Sequence, residues 1–110
     1  MENNPPILEK TALLLLKVGN RGVTYEESAY VFGMLRLTDN ISKLRLSLSL
    51  TLDEKREGKY KRFFIPNKQT AQRLIDFINH ERIARHDDPI LKKEAQWYLE
   101  TLPTIDVKEN

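Results

Sequence analysis

Residues 43–52 read KLRLSLSLTL, with leucine at every second position: Leu44, Leu46, Leu48, Leu50 and Leu52. Alternation of this kind is the period of a half-buried strand. Ile41, Leu44 and Leu48, however, are spaced along one face of a helix. The helical reading leaves Leu46 in solvent. The strand reading accounts for Leu46, Leu48, Leu50 and Leu52 but not for Ile41. The expectation adopted is a handover, with a helix from about Asn40 to Ser47 and then a strand from about Leu50 to Arg56. A single strand from Lys43 to Glu54 is the alternative.

Downstream, EKREGKYKRFFI (residues 54–65) places Gly58 between charged residues and two alternating runs. That pattern predicts a β-hairpin with glycine in the turn, closed by Pro66. In an alternating return strand, Lys59, Lys61 and Phe63 share one face, and Tyr60, Arg62 and Phe64 the other. A longer helix follows from Asn67 or Lys68 to about Arg85, with Ala71, Leu74, Ile75, Ile78 and Ile83 as its apolar stripe, joined by Phe77. His86 to Pro89 (HDDP) breaks it. A last helix from about Ile90 to Leu102 carries Leu91, Ala95, Tyr98, Leu99 and Leu102, with Trp97 beside them.

Upstream, Ile7 to about Val18 reads as a well-buried helix through Ile7, Leu8, Ala12, Leu15 and Leu16, stopped by GNRG at residues 19–22. Thr24 and Glu27 form the Thr-x-x-Glu capping-box pattern. They open a second helix from Tyr25 to about Phe32, with Ala29, Phe32 and Val31 inward. Thr38 or Asp39 is the expected cap of the third helix. Residues 1–6 read as a disordered lead, 7–66 as the core, 67–103 as a helical extension of the same domain, and 104–110 as a polar tail.

Bulk properties narrow the function. At 110 residues, 40% hydrophobic and 31% charged, the chain is one ordinary globular domain. It has no cysteine, which excludes disulfides, thiolate metal sites and a cysteine nucleophile. The only histidines, His80 and His86, are six apart, not three or four as ligands on one helical face require. No GxxxxGK phosphate loop occurs among the four glycines. Paired acids have plain structural roles: Glu26 and Glu27 suit a helix first turn, and Asp87 and Asp88 precede a proline stop. The expectation is therefore a protein that is not an enzyme and needs no cofactor or metal. No apolar run is long enough to span a membrane, and MENNPP does not resemble a signal, so the expected location is cytoplasmic.

Net charge is only +2, yet it is unevenly placed. Between Lys43 and Arg62 lie seven cations against three acids. Three helices, a basic hairpin and two further helices, and above all ISKLRLSLSLTLDEKREGKYKRFFIP at residues 41–66, resemble the winged helix-turn-helix fold of small prokaryotic, phage or plasmid regulators. The resemblance spans about Ile7 to Ile65. Ala29 and Gly33 have the family's helix-to-turn spacing. Ile41 and Leu44 come later than in the compact motif, implying a longer turn through MLRLTD at residues 34–39.

The fold class so implied is mainly α with a β-hairpin wing (α+β): a winged helix-turn-helix with two extra C-terminal helices. The implied partner is double-stranded DNA. Asn40, Ser42, Lys43, Arg45, Leu46 and Ser47 would lie in or beside the major groove, with Leu46 placed to touch a thymine methyl. Lys55, Arg56, Lys59, Lys61 and Arg62 would lie on phosphates or in the minor groove. A homodimer through Leu74, Ile78, Trp97 and Tyr98 is the expected assembly. The functional expectation is a small transcriptional regulator. Alternatives are a plasmid or phage DNA-segregation or organising protein of the same fold, and a winged-helix adaptor or inhibitor that binds protein only. RNA binding, with Tyr60, Phe63 and Phe64 stacking on bases, is a further alternative. Lysines at a hairpin tip also guard sheet edges on proteins that bind nothing.

Overall fold

Helix α1 (Ile7–Val18) is buried around most of its circumference, as its run of leucines requires: Ala12, Leu14, Leu15, Leu16 and Val18 all lie in the core. The computed structural model describes residues 7–103, so the lead at 1–6 and the tail at 104–110 lie outside the described residues. A 3-10 turn (Gly19–Arg21) ends α1 and leads to a two-residue strand, β1 (Val23–Thr24). This strand was not expected; sequence reading ran GNRG straight into a helix. Gly22 makes it possible. Its φ is +81°, and a Cβ there would stand 2.5 Å from the carbonyl oxygen of Phe63. Only glycine lets the chain approach the neighbouring strand so closely.

Helix α2 (Tyr25–Tyr30) opens with the expected capping box: Glu27 N–H donates to Thr24 Oγ1, and Thr24 N–H donates to Glu27 Oε1, both at 3.1 Å. It stops two residues before Phe32. Val31 and Phe32 are exposed, and the buried residue is Ser28, not the expected Ala29, Phe32 and Val31. The Ser28 hydroxyl donates to the Met34 carbonyl (2.6 Å), and the Met34 N–H donates back to the Ser28 carbonyl (2.8 Å). That reciprocal pair turns the chain out of the helix.

Helix α3 (Leu37–Leu48) begins three residues earlier than expected. Neither Thr38 nor Asp39 caps it; Arg36, at φ 64°, occupies the N-cap position. Leu37, Ile41 and Leu44 are fully buried, while Leu46 is 83% exposed. The handover therefore exists, and a single strand from Lys43 does not. Strand β2 (Asp53–Glu57) starts later than Leu50, however. Asp53 already pairs with Phe64, the last residue of β3 (Tyr60–Phe64), and the next N–H, that of Ile65, donates to the Gly19 carbonyl (3.3 Å). Leu50 and Leu52 thus have no ladder to join and serve as core side chains on an extended connection.

The sheet is antiparallel with order β1-β3-β2, so the last strand in sequence lies in the middle. Helix α4 (Lys68–Ala84), capped by Asn67 Oδ1 accepting from Thr70 N–H (3.0 Å), packs on α1 and on α5 (Lys92–Glu100). Ile90 precedes α5; its N–H donates to Asn79 Oδ1 (2.8 Å). Ile83 and Leu91, expected on apolar stripes, are exposed. Among the described residues, five α-helices and one three-stranded antiparallel sheet make a mixed α+β domain. No helix among the described residues is long and apolar enough to cross a membrane.

Glu9 ties α4 to α1. It is 2% exposed, yet Arg85 forks onto both its carboxylate oxygens (2.6 and 2.8 Å), and Arg82 Nε adds a third bond (3.2 Å). The Arg85 hydrogen bonds hold the Glu9 carboxyl below its ordinary value of 4.5, against the opposing effect of burial. The unfolded chain therefore takes up this proton first, so stability is complete above the ordinary carboxylate value and is lost as pH falls through the lowered one. Acid titration followed by circular dichroism should show stability falling below pH 4.5. Glu9→Gln should flatten part of that fall and cost about 2 kcal/mol at neutral pH, since both arginines can rehydrate. Gly22→Ala should cost about 3 kcal/mol in a denaturant melt, and Gly58→Ala about 1 kcal/mol. A Cβ at Gly58 (φ 61°) would meet nothing within 4 Å. Equal losses would exclude the close approach at Gly22 as the cause.

Candidate nucleic-acid interface

The outer face of α3 follows from its inner one. With Leu37, Ile41 and Leu44 inward, residues 39, 42, 43, 46 and 47 point to solvent, and Asp39, Ser42, Lys43, Leu46 and Ser47 are all exposed. Asn40 is not on this face. It is 3% exposed, and its side-chain nitrogen has no hydrogen-bond partner among the described residues. Arg45 sits on the flank of the helix. It donates to the Leu52 carbonyl (2.5 Å) and Glu54 Oε1 (3.4 Å), and its guanidinium lies 5.9 Å from the Phe63 ring centroid. It fastens the helix to the hairpin.

The hairpin is exposed along all of β2. Cross-strand partners share a face of an antiparallel ladder. The pairs Glu54–Phe63 and Arg56–Lys61 therefore lie on the face that meets α3 through Arg45 and Phe63. The pairs Lys55–Arg62 and Glu57–Tyr60 lie on the other, toward α2. The alternation expected for the return strand holds: Phe63 is buried, and Tyr60, Arg62 and Phe64 are half-buried on the opposite face.

The seven cations of this region divide by partner. Arg62 forks onto Glu27 (2.9 and 3.0 Å) and also donates to Glu57 Oε2 (2.9 Å) and the Gly22 carbonyl (3.3 Å). Its hydrogen bonds with Glu27, then Glu57, raise its pKa, and the same contacts lower both carboxyls. Lys61 pairs with Glu54 at 3.3 Å, the main reason that the Glu54 carboxyl is held low. Lys43, Lys55 and Arg56 make no hydrogen bond or ion pair among the described residues, and Lys59 lies 5.8 Å from the Tyr60 ring. The cations free to meet an external anion are thus Lys43 on α3 and Lys55, Arg56 and Lys59 on the hairpin. Arg45, Lys61 and Arg62 have internal duties.

Sequence reading missed Arg36 and Lys10, which line a cleft with Asn40 and Lys43. Neither falls in the charged run that drew attention, and only the early start of α3 carries Arg36 to this place. Of the residues expected to form a dimer contact, Leu74, Ile78 and Tyr98 are buried within the subunit and only Trp97, 55% exposed, offers a side chain. Apart from the exposed Ile83 and Leu91, the α4 and α5 stripes pack in or against the subunit's own core. No cluster of three or more His, Cys, Asp or Glu side chains that could hold a metal ion occurs among the described residues.

No protein-family model, no curated protein and no solved structure matches this chain.

Arg62→Ala should lower stability by about 2 kcal/mol in a urea melt, because it removes the bidentate pair with Glu27. The double variant Lys55→Ala/Arg56→Ala should stay within about 0.5 kcal/mol of the parent. Loss of stability in the double variant would mean that these side chains are structural.

Proposed function

We propose that this chain is a winged helix-turn-helix protein that binds double-stranded DNA in a sequence-specific manner as a small regulator, and is not an enzyme. In this reading α3 enters the major groove and the hairpin lies along the phosphate backbone. The observation that carries the reading is one juxtaposition. The outer face of α3 presents Ser42, Lys43, Leu46 and Ser47, and beside it stands a hairpin whose first strand is exposed throughout, with Lys55, Arg56 and Lys59 in no close ion pair among the described residues. The connectivity supports it: strand, two helices, then a hairpin whose second strand inserts between β1 and β2.

The chemistry divides by element. Ser42 and Ser47 can donate to or accept from base edges, Lys43 can donate to guanine, and Leu46 can contact a thymine methyl. The hairpin lysines and Arg56 meet phosphates, where they supply affinity and salt dependence, not sequence choice. Glu54 tempers the site by holding Arg45 and Lys61. A second reading, docking of a protein only, draws on exposed Tyr30 at the end of α2 and Val31 and Leu35 in the connection to α3.

The test is binding to duplex from the gene's own upstream region, against random duplex, over a salt series. Affinity should fall linearly with salt on logarithmic axes. Lys55→Ala and Arg56→Ala should each reduce the slope by about 1 without changing preference. Lys43→Ala should cost about 1–3 kcal/mol and relax preference at one position. Glu54→Gln should tighten binding by freeing two cations. Absence of binding at low salt, or binding unmoved by these variants, would overturn the DNA reading in favour of the protein-only one.

A further inference from the structure

A second feature lies on the flank of α3. Arg36, Asn40 and Lys43 are four and three residues apart, so they form one row along the helix. That row is one wall of a cleft of about 500 Å3. The first turn of α1 contributes Ile7 and Lys10, and the α2–α3 connection contributes Phe32, Gly33, Met34 and Leu35.

Three properties make this cleft unusual. First, among the described residues its lining contains three cations, Lys10, Arg36 and Lys43, and no carboxylate. None of the three side chains makes a hydrogen bond or ion pair among the described residues. The comparable cleft between β1, α2 and the hairpin sets Arg62 against Glu27 and Glu57. Second, Asn40 Nδ2 is a buried donor with no acceptor among the described residues. Such groups are rare because an unmade buried hydrogen bond is costly, and Asn40 is one of the residues that line the cleft, so a small rotation of its side chain would bring the nitrogen to an acceptor there. Third, the wall is fixed. Met34 is held by its reciprocal bonds with Ser28, and Thr11 Oγ1 approaches its sulfur at 3.5 Å.

We infer that this cleft binds a small amphipathic carboxylate, with its head between Lys10, Arg36, Lys43 and the Asn40 amide and its apolar body against Ile7, Phe32, Met34 and Leu35. A duplex phosphate satisfies the cations but leaves the apolar wall unused. A small anion with an apolar tail uses both. Lys43 belongs to this cleft and to the outer face of α3. Occupation therefore neutralises a DNA-facing cation and weakens duplex binding, a consequence that rests on the DNA reading above.

Octanoate is the probe, with octanol and inorganic phosphate as tail-only and head-only controls, added to the full nitrogen-labelled chain without DNA. Octanoate should move the Asn40 side-chain amide and the Gly33 backbone amide in heteronuclear NMR spectra, and neither control should match it. Lys10→Ala should weaken octanoate about three- to fivefold. Asn40→Leu fills the same volume without the orphan donor. It should melt no lower than the parent yet lose the preference for octanoate over octanol. Equal shifts from octanol, no shift at Asn40, or an Asn40→Leu variant that still prefers octanoate would overturn the site. The regulatory consequence is read separately. Octanoate should weaken duplex binding by the parent but not by Asn40→Leu. If octanoate binds while duplex affinity is unmoved, the site stands and its coupling to DNA fails; if the chain binds no duplex at all, only the DNA reading fails.

Discussion

Arg62 is the point at which the two halves of the fold are joined. It lies on the central strand, and one guanidinium reaches Glu27 on α2, Glu57 on β2 and the carbonyl of Gly22 before β1. Glu27 in turn accepts the N–H of Thr24, so the carboxylate that completes the helix cap also receives the fork from the sheet. Bidentate arginine–carboxylate pairs fix angle as well as distance. The hairpin is an appendage exposed along β2, with little burial of its own to orient it. Its direction relative to α2 comes from this cluster and from the close approach of Gly22 to Phe63.

The same charges that orient the hairpin are withdrawn from any external role. A basic stretch read along the chain counts every lysine and arginine alike. In three dimensions Arg62 is held by two acids, and Arg45 and Lys61 share Glu54. Arg73 performs a similar duty at the other end of α3, donating to the carbonyls of Leu48 and Ser49 that the helix leaves without partners. What remains for a polyanion is a smaller set with a definite geometry: one lysine on the helix, and Lys55, Arg56 and Lys59 toward the hairpin tip.

Local signals were legible in the sequence, and long-range ones were not. Thr24 with Glu27, and Gly58 between alternating runs, each act within a few residues, and each forms the element expected of it. The conflict within KLRLSLSLTL was resolved in the right direction because helical and strand periods can be counted. The strand boundary was misplaced because the ladder ends where β3 ends, which depends on a partner elsewhere in the chain. β1 was invisible for a related reason: two residues carry no period, and they are a strand only because Gly22 admits β3 beside them. The face of α3 was readable, apart from Asn40. Its burial depends on α3 starting at Leu37 behind a left-handed Arg36, a conformation that arginine does not advertise. The internal pairing of Arg62 joins residues 35 apart, and that of Arg85 joins residues 76 apart. No spacing rule reaches so far.

The C-terminal helices clarify what the domain needs in order to present α3 at all. Leu46, exposed on that helix, gains nothing from the core; what holds the helix is the opposite side, where Leu37, Ile41 and Leu44 are fully buried. The core they enter is completed by α4, and α4 is locked to α1 by Glu9 through arginines in its last turns. The inner face of α3 packs on α1 and α2, and α1 packs in turn on α4, so Leu74 and Ile78 on α4 and Tyr98 on α5 support α3 at one remove, through α1. A single helix then carries three different surfaces around its axis: apolar toward the core, polar with one leucine toward solvent, and the Arg36–Asn40–Lys43 row toward the cleft. Because a helix moves as a rigid rod, whatever fills the cleft and whatever meets the outer face act on the same element, with Lys43 on the boundary between them.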